Sequence, residues 1–153
     1  MDVVFRELKE NHYLFFDILS KEWQDEIVPY WNDYKASSKI YVIVENDNII
    51  GGGIVFSIAP PDISYYKNEA QTWFGKGYLY LGFIWIAEDR RNHNLGSFWL
   101  DELKNLFPKQ KYWLMIEDDR LHGFYQRNGF VLNKTICHEK HAEWLYSFKP
   151  STL

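Results

Sequence analysis

The apolar positions change period several times along the chain, and each change marks an element. Residues 2–8, DVVFREL, alternate weakly and predict a first strand. Over 10–23, ENHYLFFDILSKEW, the residues Tyr13, Phe16, Leu19 and Trp23 recur at helical spacing with charge between them. A second helical segment, QDEIVPYWNDY, contains Pro29. Proline lacks the backbone donor and collides with the preceding turn, so it should end or kink that helix. Two β-branched runs around Asn46-Asp47-Asn48 make 39–58 a hairpin. Its Gly51-Gly52-Gly53 is followed by neither a helix nor Gly-Lys-Ser/Thr, so it reads as a bulged strand and not a phosphate loop.

Residues 59–77, APPDISYYKNEAQTWFGKG, read as a long connection with two prolines, of the kind that is often functional. The strand expected at 78–87 is apolar on both faces and should be central. Leu95, Trp99, Leu103 and Leu106 then form one helical stripe, and KYWLMIE is the next strand. Strand, helix and strand in about 40 residues make a βαβ unit with a parallel crossover. DRLHGFYQR is a short helix stopped by Asn128-Gly129. FVLNKTI and AEWLYSF close the chain around a polar turn at His138-Glu139-Lys140. The order β-α-α-β-β-β-α-β-α-β-β predicts an α+β fold, with a mainly antiparallel sheet, one parallel step and helices on both faces. A ligand belongs outside the carboxyl ends of the parallel pair.

Composition narrows the class. The 153 residues suit one domain, 1–153, and 46% hydrophobic with 19% aromatic residues argues for a packed core. A net charge of −4 argues against a general nucleic-acid binder. One cysteine, Cys137, gives no internal disulfide and fits a reducing cytoplasm. The start, Met1-Asp2-Val3-Val4-Phe5, lacks a signal-peptide pattern, and the longest apolar run falls well short of the ~20 residues needed to span a bilayer. The expectation is a cytoplasmic protein without membrane contact; a homodimer is left open. His138-x-x-His141 has metal-compatible spacing but no further ligands nearby, so it reads as a surface turn, with no metal.

The chemistry concentrates in DRRNHNLGSFWLDEL, residues 89–103. Arginines, small residues and free backbone N–H groups gather where a buried strand becomes a helix. That combination suits an anion, a phosphate in particular. Arg91-Asn92-His93-Asn94-Leu95-Gly96 here, GFYQRNGF at 123–130 and the element order together resemble the GCN5-related N-acetyltransferase (GNAT) superfamily. The family signature is Arg/Gln-x-x-Gly-x-Gly/Ala after its fourth strand.

The resemblance implies an acetyl-CoA-dependent N-acetyltransferase acting on a primary amine of a small molecule or peptide. It implies pyrophosphate contacts from Arg91, Asn92, His93, Asn94, Leu95, Gly96 and Ser97. Backbone groups near Trp85 and Ile86 would hold the pantetheine, with a strand N–H for the oxyanion. Gly82 would mark the bulge that opens the strand, or simple packing relief. Tyr125 would be the acid for the leaving thiolate, and Glu88 or Glu117 the base.

Three positions depart from the family pattern. Asn94 replaces glycine, although asparagine tolerates a left-handed backbone. Leu121 replaces alanine. Asp118 stands where an asparagine often bonds the cofactor, and a carboxylate only accepts hydrogen bonds. A non-catalytic acyl-CoA-binding module and a transferase with a longer acyl donor are the alternatives. For the amine, the sequence offers aromatics (Trp23, Tyr30, Trp31, Tyr65, Tyr66, Trp73) among acids (Asp17, Asp25, Glu26, Asp62, Glu69), which suit a cation and equally an ordinary aromatic core.

Overall fold

Seven strands form one sheet in the order β1-β2-β3-β4-β5-β7-β6. They are β1 (Val3–Leu8), β2 (Ser38–Glu45), β3 (Asn48–Phe56), β4 (Tyr78–Ile86), β5 (Lys111–Ile116), β6 (Val131–His138) and β7 (His141–Phe148). The structure is a computed structural model describing residues 2–139 and 141–151. Lys140, assigned to the last turn, lies outside the described residues, as do the side chains of Tyr65 and His138. Every neighbouring pair is antiparallel except β4 and β5. The α+β expectation, the single parallel step and the central place of β4 therefore hold. Among the described residues no helix is long and apolar enough to cross a membrane.

The hairpin turns where the sequence places it. Asn46 and Asp47 have φ of 50° and 66°, the left-handed pair that a two-residue turn needs to match strand twist. Among the described residues six α-helices accompany the strands: α1 (Tyr13–Phe16), α2 (Lys21–Ile27), α3 (Trp31–Tyr34), α4 (Lys67–Gly75), α5 (Leu95–Leu106) and α6 (His122–Arg127). Their placement can be read from β3. A Cβ on Gly52 would meet Phe15 of α1, and one on Gly53 would meet Trp99 of α5. Successive strand residues point to opposite faces, so α1 and α5 cover opposite sides of the sheet.

Three expectations need correction. The helix over 10–23 is two helices, broken before Ser20, whose hydroxyl accepts from the Trp23 N–H at 3.3 Å and caps α2. The break exposes Tyr13 and buries Phe15 instead. The connection at 59–77 is not structureless: a turn of 3₁₀ helix at Pro61–Tyr66 leads into α4. Ala70 and Trp73 form the buried face of α4, and the Trp73 ring stacks 6.3 Å from Trp113. On α5 the buried stripe is Leu95, Trp99, Leu100 and Leu103, while Leu106 is 51% exposed. A residue seven after Trp99 comes too close to the helix end for the sheet to cover it. Pro29 acts as expected, in a 3₁₀ turn at Val28–Tyr30 that separates α2 from α3.

Candidate active site

The site begins where two parallel strands stop pairing. β4 and β5 are in register only at Tyr78–Lys111, Leu79–Tyr112 and Tyr80–Trp113. From Leu81 onward β4 keeps a ladder partner on the β3 side alone, and its other row of N–H and C=O groups faces the gap. A bulge in β4 accompanies the splay, for β3 advances from Gly52 to Ile54 while β4 runs from Trp85 to Gly82. The strained residue is Phe83, with φ +55°, not Gly82. A left-handed phenylalanine costs on the order of 1–3 kcal/mol. Burial of its ring between Trp23, at 5.6 Å, and Phe56, at 6.1 Å, offsets that cost. Gly82 serves packing: a Cβ there would lie 3.1 Å from both the Phe56 and Tyr80 rings.

At the carboxyl end of β4 the chain turns through Glu88–Arg90 into α5. The two arginines divide their work. Arg90 is tied to Glu45 at 2.8 Å and to Asp89 at 3.1 Å. Arg91 donates Nε–H to the Ile86 carbonyl at 2.9 Å and lies 4.6 Å over the Trp85 ring. Its terminal nitrogens make no bond to a described residue. Asn92 and Asn94 both take positive φ, 68° and 60°, and Asn94 makes no side-chain cap bond. The N–H groups of Leu95, Gly96 and Ser97 are thus left without partners among the described residues, at the positive end of a twelve-residue helix. His93 is exposed on the same loop. These groups fit a pyrophosphate: donors, partial positive charge and one free guanidinium edge.

Gly96 has a second reason to be glycine. A Cβ there would sit 2.9 Å from the Phe124 ring, so its bare backbone lets α6 pack on α5. Asn128 ties the same corner, donating to Ser97 Oγ at 3.1 Å and to the Phe124 carbonyl at 2.8 Å. The Ser97 hydroxyl keeps its own proton to donate.

The cleft below the splay has a volume of about 330 Å³ and is lined by β4, β5, α2, α6 and the 3₁₀ turn before α4. Tyr125 lies in its wall. The ring packs against Phe124 and Phe130, the hydroxyl has no hydrogen-bond partner among the described residues, and burial pushes the phenol above its ordinary value. Glu117 lines the cleft too, raised by desolvation and by its hydrogen-bonded neighbour Glu143. Glu88 does not; it is exposed on the turn after β4. Asp118 accepts from the Arg120 backbone N–H at 2.9 Å and side chain at 2.8 Å, which holds it down at about 2. Its carboxylate caps the 3₁₀ turn at Asp119–Leu121.

Glu22 and Glu143 join the cleft without having been singled out, and Asp62 and Glu26 take a sharper part than general acidity. Asp62 Oδ1 is shielded from solvent and has no hydrogen-bond partner among the described residues. Burial first, then the charges of Glu26, Glu117 and Glu143, raise its carboxyl to about 7. The signal for Glu143 was its alternation with Leu145 and Ser147, which puts a carboxylate on the inner face of a strand. Of the remaining aromatics and acids, Trp23 lines the cleft and Tyr66 donates to Glu143. Trp31 and Trp73 are core residues, and Asp25 pairs with Lys21. Among the described residues no His, Cys, Asp or Glu group is arranged to hold a metal ion.

Comparison with known proteins finds the same architecture. The acetyltransferase (GNAT) family model matches residues 5–130. No curated protein matches the chain. A putative streptothricin acetyltransferase from Bacillus anthracis, solved with acetyl coenzyme A, superposes with TM-score 0.69 at 16% identity, covering 99% of this chain and 100% of that one. A histone acetyltransferase HPA2 and related acetyltransferase structure from Corynebacterium glutamicum gives TM-score 0.71 at 14% identity, over 100% and 99%. A GNAT family acetyltransferase from Elizabethkingia anophelis with acetyl-CoA bound gives 0.62 at 17%, over 96% and 97%.

Proposed function

Because the chain belongs to the GNAT acetyltransferase family, we propose that it transfers the acetyl group of acetyl-CoA to a primary amine of a small molecule or peptide. The observation that carries the reading is the gap between β4 and β5, which brings open strand N–H groups, the Tyr125 phenol and several carboxylates to one cleft. The loop from Arg91 to Ser97 takes the pyrophosphate. The open edge of β4 toward Trp85 and Ile86 takes the pantetheine, and one of its N–H groups serves the oxyanion.

The chemistry then balances within the cleft. An ammonium gives its proton to a carboxylate, either Glu117 or Asp62, both of which line the cleft; Asp62, at about 7, is suited to accept a proton near neutral pH. The free amine forms the new N–C bond, the C–S bond breaks, Tyr125 gives its proton to the thiolate, and the proton shed by the new amide nitrogen returns to the phenolate. Burial keeps that phenol protonated at neutral pH. Thiol release from acetyl-CoA over a panel of amines tests the reading, with mass spectrometry of the acceptor. The expected result is free CoA matched by one acetyl group on nitrogen. CoA binding without thiol release for any amine would leave a binding module instead.

A further inference from the structure

Six carboxylates from four stretches of chain line the cleft, and among the described residues no lysine, arginine or histidine does. Asp118 is neutralised by Arg120. Glu22, Glu26, Asp62 and Glu117 form no ion pair with a described residue, although the charge of His141 partly offsets Glu117. The acids are grouped. Glu22 and Glu26 share one face of α2, which lies on the β4 side through the contacts of Trp23 with Phe83 and Trp85. Glu117 and Glu143 meet at the β5 and β7 side. Asp62 stands between the groups, since it feels Glu26 from the first and Glu117 and Glu143 from the second.

A shielded carboxyl oxygen without a donor is costly to keep, and like charges on both sides of it add to the cost. A cation would relieve both. No three of these groups converge as a metal ion requires. They are spread along a cleft whose apolar lining includes Trp23, Ile63, Leu81 and Phe83. That suits ammonium groups separated by a hydrocarbon chain, with an aromatic face beside them.

We infer that the acceptor is a diamine or longer polyamine, with one ammonium on the Glu117–Glu143 side and another on the Glu22–Glu26 side. The inference rests on the cleft being the amine site. It is tested by calorimetry on the CoA-saturated protein, titrating butane-1,4-diamine against butylamine. The diamine should bind ~10-fold or more tightly than the monoamine (about 1.4 kcal/mol). Raising salt should shrink the difference, and the double variant Glu22→Gln/Glu26→Gln, checked for folding by circular dichroism, should remove most of it. Equal affinity for the two amines, no measurable diamine binding, or an undiminished preference in the double variant would overturn it. Tight diamine binding without thiol release would leave this inference standing and remove the transfer reading. Thiol release at equal kcat/KM from both amines, bound with equal affinity, would do the reverse.

Discussion

Replacing Asp62 by asparagine should make the protein more stable at neutral pH, against the usual effect of altering a buried polar group. The Asp62 carboxyl is raised from 3.8 to about 7 by burial and by neighbouring carboxylates. The folded state therefore disfavours its charged form. Its stabilising contribution is complete below the unfolded value near 4 and is lost as pH rises to about 7. The shift corresponds to ~4 kcal/mol in all, of which about 2–3 kcal/mol falls between about pH 5 and pH 8. Asparagine fills the same space and cannot ionise. The gap in stability between Asp62→Asn and wild type should then widen by that amount across the window. Thermal melts would register a relative rise of roughly 5–10 °C, at 2–4 °C per kcal/mol for a chain of this size. Glu26 and Glu117 are also raised, so the comparison must be the difference between the two proteins and not either curve alone. A pH-independent difference would refute the reasoning, for it would mean that Asp62 titrates as a solvated carboxyl.

Two further substitutions probe the loop at the start of α5. With Asn94 at φ +60°, Asn94→Gly should keep or tighten CoA affinity and Asn94→Val should weaken it, as read by calorimetry. Gly96→Ala should lower stability by ~1–3 kcal/mol, because its Cβ would meet Phe124 at 2.9 Å; Phe124→Leu in the same chain should restore part of the loss in a thermal melt.

Features written in local backbone chemistry were legible in the sequence. The Asn46-Asp47 turn, the parallel step after β4 and the left-handed Asn94 follow from residue types over a few positions. Helix α4 was not, because two prolines precede it and Ala70 and Trp73 are its buried residues, too short a stripe to stand out. In the sequence Gly82 reads as the bulge or as packing relief, and the folded strand makes it packing relief. Tertiary packing by Trp23 and Phe56 instead holds the adjacent Phe83 in the strained conformation. The acidic cleft is the hardest case. Its carboxylates come from α2, the turn at Pro61–Tyr66, the end of β5 and the middle of β7, and only the folded sheet brings them together.

Acetyl transfer in the cleft beside Tyr125 is tested by steady-state thiol release from acetyl-CoA by wild type and Tyr125→Phe. The substitution removes one oxygen with no hydrogen-bond partner among the described residues and keeps the ring contacts with Phe124 and Phe130. Wild type should turn over with acetyl-CoA and its best amine, and the variant should show a kcat lower by ~10²-fold, with melting temperature and CoA affinity little changed. The loss should shrink with a thioester of a more acidic thiol. No turnover by wild type with any amine, or an unchanged kcat per folded molecule in Tyr125→Phe, would contradict it.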